Sequence, residues 1–382
     1  MKVLHVSPYF PPARPYGGPP ASVLGLCRGL QRAGVDVEVV TTTANGRDSL
    51  RPSPPGGERY DGVPVHYATR AFPRRFFGAR LREPLRRALA SADVCHIHGV
   101  WNVPEWRASS LARQTGTPYV ISPRGMLQPQ AMQRSRRRKA AALALLDRRN
   151  LAGAALLHAT SEQEADAIRA LGFRVPIAVV PNGVDLQSAD AASGGARARL
   201  GIPADAFVVL FLGRMHRIKR IDLLADAFAE ARATHPEMHL VLAGHDEDRL
   251  VPDFVARLAA HADHLHAIDA VHGAEKWALL KDADVMVQCS DSESFGLAVA
   301  ESLASGVPVI ATRTCPWSEL ETRGCGFWVE QTAPAIAAAL RALADDPPRR
   351  AQMAERAAAV AREHYSWDAL APRMARLYAD LT

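Results

Sequence analysis

The chain has 382 residues, of which 48% are apolar and 23% charged, and its formal net charge is +6. This length exceeds one ordinary hydrophobic core and suits two domains, and the composition excludes a disordered or fibrous protein. No apolar run approaches the roughly 18 to 20 residues of a membrane-spanning helix, so the pattern argues against an integral helical membrane protein.

Short β-branched runs alternate with helical patterns from the first residues onward. The segment ASVLGLCRGLQRAG repeats apolar residues every three or four positions before Gly34, which predicts a helix. The strand patterns of the first half are KVLHVSP, VDVEVVTT, VPVHYAT, VCHIHG, PYVISP, ALLHAT and IAVVPN. Near-continuous Val, Ile and Leu strands separated by helices predict a parallel sheet with both faces covered.

The alternation restarts after PNGVDLQSADAASGGARARLG, a stretch diluted by Pro, Gly, Ser and Ala. The strand patterns that follow are FVVLFLGR, HLVLAG, DVMVQC, VPVIAT and FWVE. We therefore predict an α/β protein with two Rossmann-like, doubly wound domains facing a central cleft, residues 1–185 and 186–362. Residues 363–382 predict a C-terminal amphipathic helix that packs back on the first domain. Ligands of such sheets bind beyond the carboxyl ends of the strands.

Charge is distributed unevenly between the halves. Residues 1–185 hold 26 Lys and Arg against 13 Asp and Glu, a balance of +13, and the rest hold 20 against 27, a balance of −7. Two clusters, Arg70–Arg87 and Arg134–Lys139, carry much of the positive charge. Two interpretations of these clusters are possible. They are either a solvated helix face, or a region attracted to an anionic surface such as nucleic acid or the cytoplasmic leaflet. The interleaved Phe72, Phe76 and Phe77 suit an interfacial anchor.

The cysteines and the first residues indicate a cytosolic protein. Cys27, Cys95, Cys289, Cys315 and Cys325 form no CxxC pair and are odd in number, which predicts reduced, buried thiols. The opening MKVLHVSPYF has no basic leader followed by a long apolar core, so no signal peptide is expected.

Two cations follow the first strand of the second domain in FLGRMHRIKR. Arg214 and Lys219 lie five residues apart at the carboxyl end of that strand, and Gly213 permits close approach of a ligand. A guanidinium fork and a point-charge ammonium together can clamp a diphosphate. Solvated basic residues on a loop are the alternative.

The stretch SESFGLAVAE follows the buried strand pattern DVMVQC and predicts a helix over residues 296–305, with Leu297, Ala300 and Leu303 among its buried residues. Backbone N–H groups at a helix start bind anions, and four residues provide them here: Ser294, Phe295, Gly296 and Leu297. Glu293 precedes the helix and Glu301 lies about one and a half turns inside it. Because one carboxylate accepts hydrogen bonds from two sugar hydroxyls, the two acids are expected to bracket a sugar nucleotide.

The motifs PNGVD, GRMHRIK, ESFGLAVAE and SGVPVIAT, in chain order and at their spacing here, resemble the retaining glycosyltransferases of family 4, which have the GT-B fold. The resemblance covers essentially the whole chain. It implies an acceptor-binding first domain and a nucleotide-sugar-binding second domain. In that family the diphosphate is held by residues matching Arg214 and Lys219, the ribose by Glu301 and the transferred sugar by Glu293. It further implies transfer with retention, no metal, and a substrate phosphate oxygen that helps deprotonate the acceptor.

The first domain departs from the family pattern in one place. Gly17 and Gly18 resemble the glycine loop that faces the donor phosphates, with a plain tight turn as the alternative. Where many relatives carry a histidine near the anomeric carbon, SPRGML has Arg124. His98 in HIHGVW lies at a strand tip, whereas His96 is expected to be more buried. We predict His98, and second Arg124, as residues at the acceptor or reacting centre.

SPRGML and CPWSELETRGCGFWV also resemble a subgroup that builds bacterial exopolysaccharide or O-antigen on lipid-diphosphate carriers. The sequence therefore predicts a cytosolic retaining hexosyltransferase that uses a GDP- or UDP-sugar without a metal cofactor. Its acceptor is expected to be a lipid-linked saccharide at the inner membrane face, and no nucleic acid partner is expected. A GT-B nucleotide-sugar epimerase or phosphorylase, and a non-catalytic binder of membranes or anionic polymers, remain alternatives. The DAD of residues 282–284 mimics a metal-binding DxD but precedes its strand.

Overall fold

The computed structural model describes residues 1–13, 15–72, 75–78, 80–133 and 136–382, without the side chains of residues 71, 72 and 75–78. The chain divides into two compact units. The front unit is Met1–Gly183 with Trp367–Thr382, and the back unit is Val184–Ser366. These boundaries fall two residues before and four residues after the boundaries predicted at 185 and 362.

The front unit is built on a parallel sheet. Its strands are β1 (Lys2–Val6), β2 (Asp36–Thr42), β3 (Ala44–Asn45), β4 (Asp48–Ser49), β5 (Glu58–Tyr60), β6 (Val63–Ala68), β7 (Arg70–Phe72), β8 (Arg75–Gly78), β9 (Val94–His98), β10 (Tyr119–Ser122), β11 (Leu156–Ala159) and β12 (Ile177–Val179). Eight of them form one sheet in the order β12-β11-β10-β9-β1-β2-β6-β5, in which only the β5–β6 pairing is antiparallel. The short strands pair as antiparallel β3–β4 and β7–β8. All seven strands predicted for this half are confirmed.

Helices cover both faces of the front sheet. They are α1 (Gly18–Arg32), α2 (Arg82–Leu89), α3 (Val103–Thr115), α4 (Pro129–Gln133), α5 (Arg136–Ala142), α6 (Arg148–Ala152) and α7 (Glu162–Arg169), with a π-helix at Leu143–Asp147 between α5 and α6. Alternate residues of the central strands point into two separate hydrophobic cores, because side chains alternate along a strand. The strands are therefore apolar on both faces, as their sequences predict.

The back unit repeats the architecture with a wholly parallel sheet. Its strands are β13 (Phe207–Leu212), β14 (Met238–Ala243), β15 (Leu265–Ile268), β16 (Val285–Gln288), β17 (Val309–Thr312) and β18 (Gly326–Val329), in the order β15-β14-β13-β16-β17-β18. Its helices are α8 (Leu186–Asp190), α9 (Ala196–Leu200), α10 (Ile221–Arg232), α11 (Val251–Arg257), α12 (Gly273–Lys281), α13 (Leu297–Ala304), α14 (Glu319–Thr322), α15 (Ala333–Ala344) and α16 (Pro347–His364), with 3-10 turns at Arg217–Lys219 and Ala259–His264.

The C-terminal helix α17 (Trp367–Ala379) packs on α1 in the front unit. Trp367, Met374 and Tyr378 are all buried in the core that α1 shares with the sheet. Gly25 of α1 lies under the Trp367 indole, where a Cβ would overlap the ring. The helix starts four residues later than the predicted residue 363, because α16 continues to His364.

Three features bear on the predictions from composition. All five cysteines are free and buried, which confirms buried, unpaired thiols. Within the described residues, no helix is both long and apolar enough to cross a bilayer. Arg70, predicted as part of a basic surface cluster, is instead buried, and its guanidinium donates to the backbone oxygens of Gly46, Arg47 and Asp48. The aromatic side chains of Phe72, Phe76 and Phe77 lie outside the described part of the chain.

Candidate functional site

Two loops meet at the carboxyl edge of the back sheet. β13 leads into the 3-10 turn that ends at Lys219, and β16 leads into the loop before α13. The two strands are neighbours and parallel, so their carboxyl ends lie side by side. The Asp291 N–H donates to the Ile218 carbonyl at 2.8 Å, which fastens one loop to the other. The sheet topology thereby brings together two motifs that are more than 70 residues apart in the sequence.

Lys219 and Glu293 form an ion pair at this edge. The Lys219 Nζ donates to Glu293 Oε1, and the side chains are only 18% and 12% exposed. Gln288 Nε2 and Ser290 Oγ donate to the same oxygen, each at 2.8 Å. Charge-assisted hydrogen bonds of this kind are among the strongest polar contacts in proteins. The carboxylate is therefore held in a fixed orientation by three donors, of which one carries a charge.

Helix α13 begins four residues after Glu293. Gly296 is its N-cap, has φ of +87°, and supplies no capping side chain. A Cβ at this residue would lie 3.1 Å from Trp317 Nε1, which donates to the Phe295 carbonyl. The first turn contains no acid, so the positive end of the helix is not neutralised locally. The ammonium group of Lys219 thus pairs with an acid four residues before a helix start, and a cation beside the positive end of a helix is suitable for an anion.

Glu301 has a partner that sequence reasoning missed. Lys276 of α12 donates to Glu301 Oε1 at 2.6 Å, and its Nζ also lies 4.6 Å from the Trp277 ring centroid. The Glu301 side chain is 13% exposed. On the same helix Val299, Ala300 and Leu303 are fully buried, whereas Leu297, predicted to be buried, is only partly so. Leu297 is the first helical residue, where less of the surrounding core covers it.

Arg214 lies on the loop after β13 but does not share the Lys219 partner. Its guanidinium donates to Glu247 Oε2 at 2.5 Å, and the side chains are 43% and 38% exposed. Glu247 belongs to the HDED loop after the adjacent strand β14, and Gly244 at the start of that loop packs so closely on Gly213 that a Cβ would overlap its carbonyl oxygen. Exposed ion pairs contribute about 0–1 kcal/mol, so a ligand anion can readily replace Glu247.

The DAD segment holds the back unit together. The Asp282 carboxylate accepts hydrogen bonds from the N–H groups of Gly195 and Arg197 at 2.7 and 3.0 Å. Asp284 accepts from Arg197 at 2.6 Å and from the Val208 N–H at 2.8 Å. Both carboxylates lie at the start of β16, opposite to the edge that carries Lys219, and both have structural partners.

Four histidines of the front unit form a buried cluster that sequence reasoning did not anticipate: His5, His96, His98 and His158. The cluster contains two chains of hydrogen bonds. In the first, His158 Nε2 is 2.8 Å from the Val180 carbonyl and must donate to it. His158 Nδ1 then accepts from His96 Nε2 at 3.4 Å, and His96 Nδ1 accepts from the Tyr378 hydroxyl at 2.6 Å. The contacts thus fix both tautomers and connect helix α17 to the sheet.

The second chain of hydrogen bonds begins at Arg124. Its guanidinium donates to His98 Nδ1 at 3.0 Å, so His98 Nε2 carries the proton and donates to His5 Nδ1 at 3.0 Å. The guanidinium also reaches Asn182 at 2.5 Å and Ser22 at 3.2 Å. Both ring nitrogens of His98 are therefore engaged within the protein, and the residue is 3% exposed. A direct contact of His98 with a substrate remains a prediction that this arrangement does not favour.

The ring nitrogens of His5, His96 and His98 lie within 4.8 Å of one another, close enough to hold a metal ion. Coordination through His98 Nε2 would require that nitrogen to lose its proton, and Nδ1 would then face the Arg124 N–H groups with a proton of its own. The guanidinium charge would also repel a cation at this short range. We therefore assign the cluster to hydrogen bonding.

The other predicted residues of this unit lie at the start of α1, with Gly17 as N-cap at φ +70° and Gly18 as first residue.

Burial lowers the pKa of His5 and of His158 to about 3, and it holds the pKa of His96 and His98 well below the usual value. Two buried acids near the end of β9 shift in the opposite direction. Burial raises the pKa of Glu105 to about 8 and that of Asp147 to about 6. Asp147 accepts from Trp106 Nε1 at 3.0 Å, and it lies in the π-helix.

The histidine cluster predicts acid sensitivity of the front unit. Between a folded pKa of about 3 and an ordinary value of 6.5, His158 binds a proton only when unfolded, so stability falls as the pH falls through this window. His158→Gln is expected to reduce the stability difference between pH 7 and pH 5 by about 2 kcal/mol. Urea-dependent hydrogen exchange of the front strands at the two pH values measures the free energy of unfolding of this unit. Glu105 and Asp147 contribute equally to the pH dependence of the wild type and of His158→Gln, so their contribution cancels in the comparison. His272→Gln in the back unit is the control. An unchanged pH dependence would contradict a buried neutral His158.

Comparison with known proteins covers both units. A family model described as glycosyl transferases group 1 matches residues 195–360, and a glycosyl transferase 4-like domain matches residues 17–183. The D-inositol 3-phosphate glycosyltransferase of Kineococcus radiotolerans is 30% identical over 98% of this chain and 93% of its own length. The enzyme of the same name from Streptomyces avermitilis is 32% identical over 99% of this chain and 86% of its own length.

Solved structures share the fold over the full chain. The crystal structure of Anabaena HepE in complex with UDP and glucose aligns with a TM-score of 0.78 at 20% identity, covering 100% of both chains. A sucrose-phosphate synthase of Thermosynechococcus elongatus aligns with a TM-score of 0.72 at 22% identity, covering 100% of this chain and 99% of its own. At these identities the likeness concerns the fold.

Proposed function

This chain belongs to the family 4 glycosyltransferases of GT-B fold, and on that premise we propose that it is a retaining, metal-independent hexosyltransferase that uses a nucleotide-sugar. The observation that carries the proposal is the ion pair of Lys219 and Glu293 beside the start of α13. It joins a cation and helix amides, suited to a diphosphate, to a carboxylate suited to sugar hydroxyls.

The donor site would work by exchange of partners. When a diphosphate binds, Lys219 turns its charge to the phosphate oxygens, while Glu293 keeps the hydrogen bonds from Gln288 and Ser290. The carboxylate then stays oriented and can accept hydroxyls of the transferred sugar. As the bond to the leaving diphosphate breaks, negative charge develops where Lys219 and the α13 amides lie. Preorganised positive groups at such a position stabilise the transition state without a metal.

Arg214 and Glu301 would complete the donor contacts. Arg214 can release the exposed Glu247 and place its fork on a phosphate. Glu301, on the second turn of α13, would accept the ribose hydroxyls in exchange for the hydrogen bond that Lys276 donates to it. The remaining predicted donor contacts are the amides of residues 294–297 and the turn at Gly17 and Gly18.

The acceptor we propose is a saccharide on a lipid diphosphate, used at the inner face of the cytoplasmic membrane in exopolysaccharide or O-antigen synthesis. Supporting it are the SPRGML segment and the Arg124 guanidinium, whose three partners in the described structure are Ser22, His98 and Asn182 and therefore include no acid. The guanidinium is only partly buried, and the carboxylate of Glu164, which accepts from the Gly125 N–H, stabilises its charge without forming an ion pair with it. The Arg124 N–H groups can therefore also serve an acceptor phosphate. The names of the relatives favour a second candidate, an inositol phosphate, whose phosphate would suit the same cation.

The test is a donor-by-acceptor assay on the purified protein. UDP- and GDP-hexoses are combined with a polyprenyl-diphosphate saccharide or with inositol phosphate, and released nucleoside diphosphate is measured with a chelator present throughout. We expect release only when the right acceptor is present, at a rate the chelator leaves unchanged, and NMR of the product should show the donor's anomeric configuration. Epimerised donor, a sugar phosphate formed from inorganic phosphate, or an inverted product would contradict the proposal.

A further inference from the structure

One helical segment of the front unit exposes adjacent leucines. Residues 136–152, here called the basic helix, comprise α5, the π-helix and α6. Leu145 is 79% exposed and Leu146 is 44% exposed. Among the described residues, the other large hydrophobic side chains in the exposed class are Met1 at 41% and Val255 at 39%, and these two are far apart in the sequence. Two adjacent exposed leucines form an apolar patch, and such patches are typical of sites that bind a partner or a membrane.

Cations flank the leucines on both sides. Arg136, Arg137, Arg138 and Lys139 precede them and Arg148 and Arg149 follow them, and the five arginines are exposed. In the part of the chain that the structure describes, none of these arginines forms a salt bridge. The single acid of the basic helix, Asp147, is buried and accepts from Trp106 Nε1. The outer surface of the segment is therefore positive without a counter-charge of its own.

The π-helix explains how the basic helix both packs on the protein and exposes apolar side chains to solvent. A π turn adds a residue to the helical repeat and changes which side chains point inward. Asp147 reaches the indole of Trp106 in α3, while the two residues before it point to solvent. The buried carboxylate thus anchors the segment to α3, and the exposed surface keeps only cations and apolar groups.

We propose that the basic helix docks on an anionic lipid bilayer, with its arginines at the headgroups and Leu145 and Leu146 inserted at the acyl boundary. A surface that combines clustered arginines with exposed leucines matches both layers of a membrane interface. Nucleic acid would match the charge and leave the leucines in water. The inference goes beyond the proposed chemistry and does not depend on it, since a lipid surface can be bound by a protein with any activity.

The experiment is co-sedimentation of the full chain with vesicles of phosphatidylcholine containing about one third phosphatidylglycerol, compared with pure phosphatidylcholine. We expect binding to the anionic vesicles that weakens as salt is raised. R136Q/R137Q/R138Q should weaken binding about 100-fold, and L145S/L146S about 10-fold. The matched control, R47Q/R51Q/R59Q, removes three exposed arginines elsewhere in the front unit and should change binding less than threefold.

Three outcomes overturn the proposal: no binding of the wild type to anionic vesicles, equal loss with the control triple variant, or binding that the leucine variant leaves unchanged. Circular dichroism of each variant checks that it is folded, and all substituted side chains are exposed. Transfer to a water-soluble acceptor should be the same for all variants. Loss of vesicle binding with intact transfer therefore separates this inference from the proposed function, and binding to nucleic acid in its place would contradict it.

Discussion

Lys219→Ala is expected to lower kcat about 100- to 1000-fold with a smaller change in donor KM, because a charge that stabilises the leaving diphosphate acts mainly in the transition state. The substitution removes one of three donors to Glu293 Oε1 and leaves Gln288 and Ser290 in place. The loop should therefore keep its conformation. Initial rates at saturating acceptor, measured over a range of donor concentration, separate kcat from KM.

Lys281→Ala is the matched control, since Lys281 is exposed at the end of α12 in the same unit. It should leave both constants within twofold of wild type. Arg214→Ala should fall between the two, with about a tenfold loss, because its guanidinium is exposed and would hold a phosphate only in competition with water. A Lys219→Ala enzyme that turns over at the wild-type rate would place the diphosphate elsewhere.

The fold was largely readable from the sequence because parallel strands buried on both faces are continuous Val, Ile and Leu runs. All twelve predicted strands occur in the structure. The strand that the pattern missed in the back sheet, Leu265–Ile268, lies at the sheet edge and is only partly buried. It contains one histidine, His266, and follows another, His264. The short antiparallel pairs in the front unit contain two to four residues each, too few to show an alternation.

The candidate site was predictable where its residues follow adjacent strands. It was not predictable where a contact depends on how two helices pack. Lys219 and Glu293 follow adjacent strands, so the topology alone puts them together. The Lys276 contact with Glu301 depends on how α12 packs beside α13, and no spacing within either helix encodes it. The histidine cluster left a signal that was not used. Histidines occur in four of the seven front strand patterns, and the register of parallel neighbours places His5 beside His96.

Glu301→Ala is expected to weaken nucleotide binding about 10- to 100-fold, which corresponds to about 1.5–3 kcal/mol for a hydrogen-bonding charged group. The carboxylate would accept two ribose hydroxyls, and its loss would leave them without a protein partner. Titration calorimetry with UDP and GDP measures the change. Glu275→Ala is the control, an exposed acid in the first turn of α12 whose removal should leave affinity unchanged.

The Lys276 contact decides whether Glu301 binds the ligand itself or only stabilises the site. If the carboxylate contacts ribose, Lys276→Met removes a competitor for its oxygens, and nucleotide affinity should stay equal or rise. If Glu301 serves only to pair with Lys276, then Lys276→Met and Glu301→Ala break the same interaction and should weaken binding alike. The pair is 2.6 Å apart and mostly buried, so both variants also lower stability, which thermal unfolding without nucleotide measures separately. Equal losses of affinity in the two variants would therefore overturn the ribose contact, even if the protein remains an active transferase.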